Sequence, residues 1–428
     1  MSAFELSVLF FLQLAFILTV CRVVGWVARW FGQPQVVAEM IAGVLMGPSL
    51  LGLLLPDVQA FLFPAASKSI LYAVSQVGLV LYMFLVGLEF DIGLIRKRMR
   101  SAAAVSLSGI LVPMGLGALL GYYLSNVDGF FAPKTVMWEA MFFTGASMAI
   151  TAFPMLARII HERGLAGSSL GTLALAAGSL DDGAAWCVLA LVLASFSGDP
   201  LIAILAIVGG TLYAAGILTI GKKLLRPLGA MAEREKGVSP NLLTITLICV
   251  MVGAWFTDRI GIYAVFGAFI IGAAMPRGRF AHEVKRQIEP LTTTFLLPLF
   301  FVYSGLNTRI TLVDSAWLWW IALVVLLAAC LGKGVACWAA ARWCGEPPRD
   351  ALAIGTLMNA RGLMELIILN IGLDRGVVTP LMFTVMVIMA IVTTLMATPI
   401  FEWVFRLHPR INVKYEVAIV SGVAGGGD

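Results

Sequence analysis

Two aspartates, Asp181 and Asp182, stand side by side within the apolar stretch 169–195. Crossing a bilayer takes about 20 residues, so this stretch is long enough to do so. A carboxylate at mid-membrane costs at least about 2.5–3.5 kcal/mol, and two of them imply work that needs charge at that depth. The chemistry open to buried carboxylates there is cation binding, proton carriage, or both. Successive helical residues lie about 100° apart, so the two side chains face different neighbours. Gly178 and Gly183 flank the pair and let a helix or an ion approach closely. A candidate countercharge is Lys333, well inside another apolar run and set between Gly332 and Gly334. A Lys–Asp pair across helices would offset much of both burial penalties.

Two further stretches carry polar groups at depth. Thr144-Gly-Ala-Ser147-Met-Ala-Ile-Thr151-Ala-Phe-Pro154 places small polar residues and a proline in mid-span. Thr356-Leu-Met-Asn359-Ala-Arg361-Gly362-Leu-Met-Glu365 does the same with charge, and Arg361 and Glu365 are spaced to pair along one helix. This pair is expected to be structural, holding an interrupted helix together. A kink without a ligand would explain either stretch alone, because Gly and Pro are common in membrane helices. Two matched interruptions beside a carboxylate pair point instead to a transporter's binding site.

The elements that must position these residues follow from composition. The chain has 428 residues, 60% hydrophobic and 12% charged, with a mean hydropathy of +0.96. This is an all-α polytopic membrane protein. About 13 spans are expected, near 6–28, 36–54, 69–90, 102–125, 137–158, 169–195, 200–221, 240–257, 260–275, 291–307, 315–341, 351–373 and 379–404. The interrupted spans are the fifth and twelfth. With the seventh as linker, two inverted six-helix repeats result. With the N-terminus outside, most of the 29 Lys and Arg fall on inner loops. Among them are Arg96, Lys97, Arg98 and Arg100, the group from Lys222 to Lys236, and the group from Arg277 to Arg286. The outer loops hold only Lys68, Lys134, Arg259, Arg309 and Arg375. That bias puts the C-terminus inside.

The formal net charge of +5 sits on these short loops and is not a nucleic-acid signal. The six cysteines lie in or beside apolar runs, so no disulfide is expected. His161, His282 and His408 lack metal-ligand spacing. Glu39 is expected to be structural, and Glu89 and Asp91 to end the third span at the interface. Trp317, Trp319 and Trp320 read as an interfacial belt. The first apolar run is too long for a signal peptide and is expected to be an uncleaved helix. The tail over 406–428 is either a native stub or what remains beside a regulatory domain.

Taken together, the run from Gln33 to Gly52, the Asp181-Asp182 pair, Gly332-Lys333 and Met358-Asn359-Ala360-Arg361-Gly362-Leu363-Met364-Glu365-Leu366 resemble the monovalent cation:proton antiporter-2 family. The resemblance covers the whole membrane part. It implies a sodium/proton antiporter-like fold over 1–405, with a dimerisation subdomain and a mobile core that includes roughly 102–195 and 291–404. Two unwound helices would cross beside the carboxylates. Asp182 matches the family's cation- and proton-binding carboxylate, the seat of the monovalent cation. Asp181 matches its neighbour, paired in the electrogenic sodium exchangers with the lysine that corresponds to Lys333. Ser147 and Thr151 match the polar stretch of the first crossed helix.

The expected activity is exchange of Na+ or K+ for protons by alternating access, without a cofactor, by a homodimer in the lipid of a bacterial inner membrane. The alternative is a gated potassium efflux protein or channel. An intramembrane aspartyl protease is disfavoured, because adjacent aspartates on one helix point apart and cannot share one water.

Overall fold

The computed structural model describes residues 2–33, 35–89, 99–151, 153, 156, 159–160, 165, 168–196, 200–260, 264–361 and 363–406. Its helices are α1 (Ala3–Trp30), α2 (Gln35–Met46), α3 (Leu51–Leu54), α4 (Pro56–Leu62), α5 (Ala65–Glu89), α6 (Met99–Ser125), α7 (Met137–Ala149), α8 (Ser169–Phe196), α9 (Pro200–Gly216) and α10 (Lys222–Arg234). They continue with α11 (Pro240–Arg259), α12 (Ala264–Ala274), α13 (Arg279–Leu291), α14 (Leu297–Leu306), α15 (Ala316–Ala329), α16 (Ala336–Trp343), α17 (Pro348–Met358), α18 (Leu363–Asp374) and α19 (Pro380–Arg406). Among the described residues the β-pairing is one isolated antiparallel bridge, Phe131 to Val378. An all-helical answer is what lipid demands, since each backbone N–H and C=O must find a partner within its own segment.

Among the described residues, eight helices are long and apolar enough to cross a membrane by themselves. Several expected spans are divided. The stretch 36–54 becomes α2 and α3, separated by a turn over residues 47–50 that contains Gly47 and Pro48. The stretch 315–341 is continuous, but its middle, Cys330–Val335, is a π-turn between α15 and α16. Other π-turns join α9 to α10 (Ile217–Gly221) and α13 to α14 (Thr292–Leu296). In both places the π-turn joins an apolar helix to an amphipathic one, with the apolar helix first at Ile217–Gly221 and second at Thr292–Leu296. Helix α13 buries Phe280, Val284 and Ile288 at four-residue spacing and turns its charges outward. There Lys285 pairs with Glu89, at the end of the third expected span, and Arg286 with Glu283.

Helices pack here through small residues, as they must where lipid removes the hydrophobic drive to associate. A Cβ built on Gly305 of α14 would lie 2.1 Å from the Gly43 carbonyl carbon of α2. A Cβ on Gly117 of α6 would lie 2.7 Å from the Cα of Gly145 on α7. The second contact holds the first interrupted helix against α6. Trp317, Trp319 and Trp320 are exposed at the start of α15. The five described cysteines are free thiols. Asp91 and His161 lie outside the described residues, as does 407–428 with nearly all of the tail, and Cys187 lies in α8 with its side chain outside the description.

Candidate ion-exchange site

The first interruption follows α7. Ile150 is extended (φ −70°, ψ 139°) and ends the helix, and helix is described again from Phe153. The sequence explains the stop. A proline at 154 has no N–H for the carbonyl of residue 150, and its ring would clash there in a continuous helix. The second interruption follows α17. Ala360 and Arg361 are not helical, and α18 resumes at Leu363. Thr394 of α19 clamps this break from both sides. Its hydroxyl accepts from Arg361 N at 3.2 Å and donates to the Arg361 carbonyl at 2.6 Å. The backbone N–H and C=O of Arg361 therefore find their partner on a neighbouring helix.

Lys333 and Asp181 meet between these breaks. Lys333 is fully buried and Asp181 is 2% exposed. Nζ donates to Asp181 Oδ2 at 3.2 Å, to the Gly109 carbonyl at 3.0 Å, and to the Ala149 carbonyl at the end of α7. An ammonium has three donors, and all three are used. Thr151 donates to the same Asp181 oxygen at 2.5 Å. Gly109 lets the α6 backbone come this close, since a Cβ there would lie 2.6 Å from Cys337 Sγ and 3.7 Å from Asp181 Oδ2. The π-turn Cys330–Val335 carries Lys333, a local widening of the helix often seen where a side chain has a task.

Arg361 is also fully buried. Its Nη1 lies 3.8 Å from Glu365 Oε2, so the expected pair forms, but Arg361 stands in the break and only Glu365 lies in a helix, α18. Its closer contact runs elsewhere, to the Ser147 carbonyl at 3.2 Å. The guanidinium thus links the second break to the first, a role that i to i+4 spacing alone does not reveal. The two interrupted helices meet as expected, but two of the carbonyls near the first break are occupied by Arg361 and Lys333.

Four residues around the breaks keep a buried side-chain oxygen without a hydrogen-bond partner among the described residues. These are Ser147 Oγ, Asp181 Oδ1, Asn359 Oδ1 and both oxygens of Glu365. Unpaired buried oxygens are rare and need a reason, and a hard cation prefers oxygen ligands. Asn359 holds position by donating to Cys330 Sγ at 3.5 Å. The backbone of Asp182 lies in α8, one residue beyond Asp181, while its side chain lies outside the described residues. Glu39 is buried on α2.

A transmembrane sodium/hydrogen exchanger family model matches residues 15–407. The chain belongs to that family. It is therefore a transporter and not an enzyme. The chain is similar to the Na(+)/H(+) antiporter NhaS4 of Synechocystis, with 40% identity over 92% of this chain and 95% of that one. Cation/H(+) antiporter 17 of Arabidopsis thaliana is 36% identical over 93% of this chain and 48% of its own. The chain thus spans about half the length of the plant relative. The Na(+)/H(+)-K(+) antiporter GerN of Bacillus cereus is 28% identical over 92% of this chain and 96% of its own. Among solved structures, the sodium proton antiporter MjNhaP1 of Methanocaldococcus jannaschii shares the fold, with a TM-score of 0.57 at 15% identity over 92% of this chain and 95% of that one.

Sequence reasoning missed four contributors to the candidate site. The carbonyls of Gly109 and Ala149 carry no side-chain signal. Thr394 reads as one more threonine in an apolar helix. Cys337 could have been suspected, since it lies one helical turn beyond Lys333.

Proposed function

We propose that this chain exchanges Na+ or K+ for protons across a membrane by alternating access, with Asp182 as the carboxylate at which the two ions compete. The observation that carries this reading is the buried Asp181–Lys333 pair held where two interrupted helices meet. A proton neutralises an aspartate in low dielectric, and a cation beside it favours the ionised form. The two then take turns, and exchange follows if the empty charged site crosses poorly. Asp181, Lys333 and Thr151 form a second unit coupled to the first. Ser147, with an unpaired hydroxyl oxygen among the described residues, supplies a further oxygen for the cation.

The relatives named above as Na+/H+, cation/H+ and Na+/H+–K+ antiporters support this assignment. We also assign a homodimer in a bacterial inner membrane, with the N-terminus outside, on the distribution of Lys and Arg and on the family resemblance. The test uses proteoliposomes with a trapped pH dye, to which sodium, potassium, lithium and rubidium are added in turn. The wild-type chain alkalinises or acidifies the lumen in response to at least one of the cations, and Asp182→Asn does not. Retained exchange in Asp182→Asn overturns Asp182 as the carrier. Flux that follows voltage and needs no proton gradient identifies a channel instead.

A further inference from the structure

A separate opening lies to one side of the ion pair. Between α6 and α16 is a cavity of about 650 Å³, walled by Arg100, Ser101, Ala104 and Ser108 from α6 and by Trp343 and Cys344 at the end of α16. Its mouth is marked by Arg100, which is exposed, and by Trp343, which is 93% exposed. Ser108 is the lining residue furthest along α6 from that mouth. Its hydroxyl donates to the Val105 carbonyl at 2.9 Å and approaches the Ala336 carbonyl at 3.3 Å. The next residue, Gly109, is the one whose carbonyl accepts from Lys333. Ala336 lies three residues beyond Lys333 on the other wall. The far end of the cavity is therefore one residue along α6 from a carbonyl that holds the ammonium, while on α16 its lining reaches Ala340. The fully buried Cys337, which donates to the Val105 carbonyl at 3.6 Å, packs beside this end.

We infer that this cavity is a proton route to Lys333 that alkali cations do not use. The inference rests on the reading of the Asp181–Lys333 pair as part of the exchange machinery. Its lining suits the task. Ser101 and Ser108 offer hydroxyls that can order water, and the volume holds many water molecules. A cation would find no carboxylate among these lining residues. Arg100 at the mouth repels an alkali ion and attracts an anionic buffer, the species that collects or delivers protons. In the step itself, one N–H bond of the Lys333 ammonium breaks and one O–H bond forms on a cavity water. This leaves a neutral amine and a hydronium that passes its proton to buffer. Reloading is the reverse.

The test plugs the cavity in folded protein. Ala104→Cys is made in a Cys344→Ser background, reconstituted, and treated with the anionic, membrane-impermeant sulfonatoethyl methanethiosulfonate. Two rates are then read: cation-driven proton flux, and self-exchange of radioactive sodium or rubidium against the same ion. The expected result is labelling, a fall of about tenfold or more in proton-coupled flux, unchanged self-exchange, and recovery on adding a thiol reductant. Loss of self-exchange together with proton flux places the cavity on the cation's path and overturns the inference. Labelling without loss of proton flux also overturns it, as does failure to label, which marks a lipid-filled groove. Asp182→Asn reports separately on the proposed function, so failure of one reading is distinguishable from failure of the other.

Discussion

The Arg361 guanidinium donates to the Ser147 carbonyl over 3.2 Å, so a side chain from one interrupted helix satisfies a backbone acceptor near the other's break. The same group sits 3.8 Å from Glu365. It therefore serves as a connector between two discontinuities, and its removal has consequences in both.

Arg361→Ala is expected to leave Glu365 charged or unpaired in a dry interior. Breaking a buried pair from one side costs about 3–5 kcal/mol. Thermal unfolding in detergent should show a large drop in Tm. Arg361→Lys should recover only part of it, because an ammonium is a point donor and cannot span both partners as a planar fork does. The double variant Arg361→Met, Glu365→Leu should be more stable than Arg361→Ala, since it buries no lone charge. A Tm for Arg361→Ala equal to wild type would mean that the connector carries no stability.

Lys333→Ala removes the donor shared by Asp181, Gly109 and Ala149. A fall in Tm is expected, together with weaker dependence of exchange on membrane potential, read with a voltage clamp set by valinomycin and potassium. Cation-driven proton movement should fall about tenfold, and what remains runs through Asp182. An unchanged voltage response with intact stability would remove Lys333 from the machinery.

Thr394→Val keeps shape but deletes the hydroxyl that bonds Arg361 at both N and O. A buried donor or acceptor left alone costs about 1–3 kcal/mol. The expected outcome is a lowered Tm with a reduced exchange rate, and Thr394→Ser should restore both. Equal behaviour of the Val and Ser variants would show that the clamp is dispensable.

Gly305→Ala tests the α2–α14 contact. Its new methyl would lie 2.1 Å from the backbone of Gly43, where no side chain can move aside. Folded yield by fluorescence size-exclusion chromatography should collapse. Gly115→Ala, with open space around its added Cβ, should fold normally and gain about 0.5–1 kcal/mol from helix propensity. A well-folded Gly305→Ala protein would refute the close approach.

Much of the site was legible because burying charge is expensive. Asp181, Lys333, Arg361 and Glu365 stand out in apolar runs, and the i to i+4 spacing of the last two predicted their pairing. Pro154 and the polar run at 356–365 announced the breaks. The cross-helix bond from Arg361 to Ser147 was not legible, since nothing local says which carbonyl a long side chain will reach. Nor was the π-turn at Cys330–Val335, whose residues match those of an ordinary α-helix. Division of the apolar stretch 36–54 was signalled only by Gly47-Pro48. Backbone carbonyl ligands leave no trace in residue type at all.

The bridge between Phe131 and Val378 has a mechanical consequence. Ala132 N donates to the Val377 carbonyl and Thr379 N to the Phe130 carbonyl, both at 3.1 Å, and the Thr135 hydroxyl adds a bond to Val377 at 2.8 Å. This stitch ties the loop that enters α7 to the loop that leaves α18, at the ends of the interrupted helices remote from their breaks. Moving one half without its counterpart would break these three bonds, so the stitch favours travel of the pair as a single piston over two independent latches.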